Sequence, residues 1–142
     1  MAIIVCKYKK ELIMEKQQLA TLLLRIMLGA SFLIHGLSKF QGGVGNTAAW
    51  FDSIGLPGGL AYVVAIIEVL GGILMILGIA TRYVAIAFVA IMLGVIFSVK
   101  AANGFLGNDQ GAGYELELVL AVMAVYFVLA PFNVYSFTRK KA

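Results

Sequence analysis

The stretch GLAYVVAIIEVLGGILMILGIA, residues 59–80, carries one charged residue, Glu68, in an otherwise apolar run. It has the length of the roughly 17–25 residues that cross the hydrocarbon core of a bilayer. A helix is the economical way to do so, because every backbone polar group is then satisfied within its own segment. Working outward, residues 83–99 form a second such run with no charge at all. Residues 19–37 form another, interrupted by Arg25, and residues 118–137 a fourth, with Pro131 near its end. Hydrophobic residues make up 62% of the chain and charged residues 13%, against roughly 45–50% and 25% in soluble domains. A soluble four-helix bundle needs polar outward faces, and too few polar residues are present to supply them. The sequence therefore predicts an all-α integral membrane four-helix bundle whose outer surface meets lipid.

The net charge of +4 does not point to nucleic acid, because the cations flank the apolar runs. With the N-terminus inside, Lys7, Lys9, Lys10, Lys16, Arg82, Arg139, Lys140 and Lys141 fall on the inner side. Only Lys39 and Lys100 fall outside, so the bias predicts both ends on the cytoplasmic side of the membrane. Residues 1–18 are expected as a cytoplasmic segment, residues 19–137 as the membrane domain and residues 138–142 as a basic tail. Met14 opens a stretch that reads like a natural start, so residues 1–13 are expected to be dispensable. The single cysteine, Cys6, excludes an internal disulfide and a CxxC redox pair.

The outer loop, residues 38–58, is the longest connection. Asn46-Thr47 is expected to cap a short interfacial helix whose Trp50, Phe51 and Ile54 share one face, stopped by Gly55 and Pro57. Trp50 would then sit at headgroup depth. The two halves of the chain also resemble each other weakly. Each has a span, a Gly-rich outer connection, then a span with a carboxylate: Glu68 in one, Glu115 or Glu117 in the other.

Ionisable residues within a span are costly and should face the bundle or water with a partner. At about 100° per residue, Arg25, Gly29, Phe32, Gly36 and Lys39 share one stripe of the first span. On the second, Ala61, Ala65, Glu68, Gly72 and Met75 form a small-residue stripe that lets another helix approach closely. Depth counting at about 1.5 Å per residue suggests that Arg25 pairs with Glu68. Such a pair is either a structural ion pair orienting two helices or a polar site holding a quinone headgroup, an anion or a proton. His35 is the only histidine, so a multi-histidine metal or haem site within one chain is excluded. No metal site is expected. Glu115 and Glu117 point about 200° apart on a helix, so at most one faces the bundle squarely. No GxGxxG after a strand, P-loop, GxSxG or CxxCH occurs, so no intrinsic nucleotide or haem cofactor is expected.

Several elements, taken in order, resemble the DoxX family. They are Leu24-Arg25, His35-Gly36-Leu37-Ser38-Lys39-Phe40, Gly55-Leu56-Pro57, and Glu68 followed by Gly71-Gly72. Leu77-Gly78-Ile79-Ala80-Thr81-Arg82, Asn103-Gly104-Phe105 and Gly113-Tyr114-Glu115 continue the resemblance. The sequence departs from it at Val99-Lys100, where many relatives carry a histidine, and at Ala130-Pro131-Phe132-Asn133, where many have a Gly-Pro-Gly turn and an Asp. The resemblance implies a four-helix bacterial inner-membrane protein. It also implies an oxidoreductase label, since the family is named from a subunit of a thiosulfate:quinone oxidoreductase and some Bacillus-type relatives are linked to tolerance of catechols and quinones.

Together these observations predict a membrane component of a quinone-linked redox or detoxification system. Arg25, His35, Lys39, Glu68 and Glu115 would line its polar site. A bound quinone and a redox partner protein or homo-oligomer would complete it, because the chain itself brings no redox group. A non-enzymatic scaffold for a redox partner and a small transporter are the rival readings.

Overall fold

Neither glycine nor proline occurs in residues 2–28, and good helix formers dominate there. In the computed structural model, which describes residues 2–109 and 111–130, this stretch is the start of one long helix, α1 (Ala2–Gln41). The first apolar run is thus the distal part of a helix that begins well before residue 19 and continues four residues past 37. Gly42 and Gly43 end it, the latter at φ 83°.

A short helix follows, α2 (Val44–Ser53). The sequence placed its cap at Asn46-Thr47, but the helix starts earlier, with Gly43 at the cap position. The Asn46 side chain instead donates to the Gly42 carbonyl at 2.8 Å. Of the three residues expected to share one face, Phe51 alone packs on the bundle. Val44, Ala48 and Phe51 lie against Ala61 and Ala65 of the next helix, while Trp50 and Ile54 are exposed. Asp52 Oδ1 accepts the Gly58 N–H at 2.8 Å, placing a carboxylate at the start of α3 (Gly59–Leu77), where the helix dipole favours it.

α3 ends at Gly78 in the left-handed region, and a three-residue turn leads to α4 (Thr81–Val95). The third run does not stay α-helical to residue 99. It passes into a π-helical turn, Ile96–Lys100, and a 3-10 turn, Ala101–Asn103. The outer connection contains a small antiparallel pair, β1 (Gly107–Asn108) and β2 (Gly111–Ala112). The last helix, α5 (Glu115–Leu129), begins three residues before the expected 118, with Glu115 and Glu117 in its first turn, where negative charge is favourable. It stops before Pro131 because the residue ahead of a proline is driven out of the helical region; Ala130 is extended, with ψ 125°. The remainder of the fourth run and the basic tail lie outside the described residues.

Three helical stretches among the described residues are long and apolar enough to cross a membrane: Glu11–Gln41, Gly59–Leu77 and Thr81–Asn103. The helices pack as two antiparallel pairs, α1 with α3 and α4 with α5, joined through α3 and α4. In lipid no hydrophobic force drives helices together, so small residues and close packing must hold them. The α1–α3 seam shows this. A Cβ on Gly29 would stand 2.8 Å from the Gly72 carbonyl, and one on Gly72 2.7 Å from that of Gly29. At the centre, Phe32 of α1 stacks on Phe88 of α4, with centroids 3.6 Å apart and planes 4° from parallel.

Candidate functional site

The register of the α1–α3 seam decides which charges meet. Gly29 abuts Gly72 and Ile76, and Gly36 abuts Glu68 and Val69. Arg25 therefore lies about 16 Å along the axis from the level of Glu68, beyond the reach of its side chain. The expected Arg25–Glu68 pair is replaced by another: Lys39 Nζ donates to Glu68 Oε2 at 2.5 Å. The depth argument failed because α1 continues to Gln41, which brings α3 against its last turns.

Glu68 is buried, with 4% of its side chain exposed, whereas Lys39 keeps 25% exposed. The lysine stem covers apolar surface while its ammonium lies at the mouth of the seam. Breaking a buried pair of this kind costs about 3–5 kcal/mol, because an uncompensated charge remains. The remaining residues of both predicted stripes fall as the periodicity placed them. Arg25, Gly29, Phe32 and Gly36 are buried on α1, and Ala61, Ala65, Gly72 and Met75 on α3. His35 is exposed on the flank of the α1 stripe, one turn before Lys39.

A second ion pair was missed by the sequence reading. Lys100 Nζ donates to Glu117 Oε1 at 2.7 Å. Glu115, offered as the fourth-span contributor, is exposed, and Glu117 takes the inward place. Lys100 closes the π-helical turn, and such turns re-aim side chains and recur at functional sites. The available signal was the recurrence itself, a lysine at the end of the outgoing span and a carboxylate on the returning one in each half. Because the pairs are antiparallel, both ion pairs lie at the same end of the bundle, with α2 and the β1–β2 pair. Glu117 Oε2 is buried and makes no hydrogen bond among the described residues.

The opposite end carries different chemistry. The Thr21 and Tyr126 hydroxyls share a hydrogen bond at 2.7 Å that links α1 to α5. Arg25 stands one turn further along the same buried face of α1 as Thr21, and Thr81 is buried at the start of α4. The stacked Phe32–Phe88 pair lies between the two polar ends. Among the described residues no group of three His, Cys, Asp or Glu side chains is placed to hold a metal ion. The Lys39–Glu68 end can do two things chemically. An ammonium there can donate to a ligand oxygen, and a carboxylate beside it can hold or release a proton.

A family model described as DoxX matches residues 20–101. A Bacillus subtilis protein named "Putative oxidoreductase CatD" is 43% identical over 79% of this chain and 79% of its own length. An uncharacterized protein of Haemophilus influenzae is 32% identical over 75% of this chain and 79% of that protein. An uncharacterized membrane protein of Mycobacterium tuberculosis is 28% identical over 70% and 69%. No solved structure matches the chain.

Proposed function

The chain belongs to the DoxX family of membrane proteins, and from that premise we propose that it is the membrane component of a quinone-linked redox or detoxification system. The observation that carries this reading is the buried Lys39–Glu68 pair at the mouth of the α1–α3 seam. Reducing a quinone to a quinol takes two electrons and two protons. Lys39 is suited to donate a hydrogen bond to a carbonyl oxygen, and Glu68 to hold a proton beside it. The name of the Bacillus subtilis relative agrees with redox work. The electrons would come from a reduced partner protein, bound to this chain or to a homo-oligomer of it. We place the protein in the bacterial plasma membrane as four spans with both ends inside, which puts both ion pairs at the outer face.

The test is to purify the protein in mild detergent and measure quinone in an organic extract, comparing wild type with Glu68→Gln. A stoichiometric quinone present in the wild type and lost in a folded variant is the expected result. An empty wild-type protein that co-purifies with a stoichiometric partner would replace this reading with that of a non-enzymatic scaffold.

A further inference from the structure

The Lys100–Glu117 pair is not a copy of Lys39–Glu68. Glu117 is 9% exposed, and Lys100 occupies only its Oε1. Among the described residues its Oε2 is the one buried carboxylate oxygen without a hydrogen bond. An ionised carboxylate only accepts hydrogen bonds, so this oxygen calls for a donor.

The surroundings narrow the donor's chemistry. The charges of Lys100 and Glu117 cancel, so a charged ligand would bring an uncompensated charge beside the buried Glu117 Oε2; a neutral one would not. The connection ahead of α5 is tied down at its start, where the Tyr114 and Glu115 N–H groups donate to the carbonyls of Gly104 and Phe105 at 3.3 and 3.2 Å. Phe105 meets Tyr114 edge to face at 5.7 Å. Phe105 and Leu106 are 49% and 77% exposed, giving the rim an apolar surface. A hydroxyl can accept from the Lys100 ammonium and donate to Glu117 Oε2 at once, while an apolar body rests on that rim.

We infer that Lys100 and Glu117 form a binding site for a neutral hydroxyl group carried on an apolar, membrane-soluble body. The site uses neither Lys39 nor Glu68 and needs no redox step.

The test uses the full chain in lipid nanodiscs, with empty nanodiscs as background, and reads 19F NMR shift and broadening of added probes. 4-Fluorophenol and 4-fluoroanisole differ in the one donor. Saturable binding of the phenol, with the anisole at least about tenfold weaker, is expected. Glu117→Gln should weaken the phenol about tenfold, while Glu115→Gln, an exposed carboxylate in the same turn, leaves it unchanged. 6-Fluorohexanol distinguishes the sources: binding like the phenol's indicates alcohols in general, and no binding restricts the site to aryl hydroxyls. Equal binding of phenol and anisole would overturn the inference, as would equal effects of the two variants. A lack of saturable binding, meaning that water alone serves Oε2, would also overturn it. If Glu117→Gln does not fold, the phenol-to-anisole ratio on the wild type still decides.

Discussion

In the α1/α3 half, Lys39 reaches a carboxylate midway along α3; in the α4/α5 half, Lys100 reaches one in the first turn of α5. The seams explain the difference in depth. Gly29, Gly36 and Gly72 let α1 and α3 touch backbone to backbone, so a long lysine is drawn against a carboxylate that water hardly reaches. α4 and α5 instead contribute Ala85, Phe88, Ala121, Ala124 and Phe127 to the shared core, and the ion pair is left at the end, beside a loop. The same two residue types thus serve as a pair at mid-helix in one half and, in the other, as a pair at the helix end whose second carboxylate oxygen is buried without a hydrogen bond. The family model covers the first half and ends one residue after Lys100, so Glu117 lies beyond the matched segment.

The comparison can be broken most forcefully at the seam. Gly29→Leu drives a side chain into the α3 backbone and should cost about 3 kcal/mol or more of stability, seen as a lowered midpoint in thermal unfolding in detergent. Gly94→Leu, at a position with nothing within 4 Å, should leave that midpoint close to wild type. Removing the cations sharpens the contrast between the pairs. Lys39→Met leaves Glu68 buried and alone and should cost about 3 kcal/mol, with Lys39→Met/Glu68→Met recovering a good part of it. Lys100→Met orphans a carboxylate whose side chain is 12% exposed against 4% for Glu68 and should cost about half as much in the same melts. A smaller effect tests the link between the halves at the opposite end. Tyr126→Phe removes the hydrogen bond to Thr21 and should cost about 1 kcal/mol. The smallest effect has the opposite sign. Gly94→Ala relieves an exposed helical glycine and should stabilise by about 0.5 kcal/mol.

Much of this was legible in the sequence, because the signals were local. Apolar runs of bilayer length, with one charge or none, made helices in a membrane the economical outcome. Periodicity correctly put Arg25, Gly29, Phe32 and Gly36 on one buried stripe and Ala61, Ala65, Glu68, Gly72 and Met75 on another. It also showed that Glu115 and Glu117 could not both face inward. Which of the two does so was decided by where α5 begins and by the lysine waiting there. The partner of Glu68 was decided by the sliding register of α1 against α3. A stripe states which residues face a neighbour but not at what height, and Arg25 and Lys39 stand about four turns apart on the same stripe. Lys100 shows the same limit, since its aim depends on a π-helical turn that no apolar pattern announces. Composition and period determined the helices and their inward faces. Only the packed structure determined which charges meet, because an ion pair depends on positions to within an ångström or two, and those are set by contacts between segments far apart in the chain.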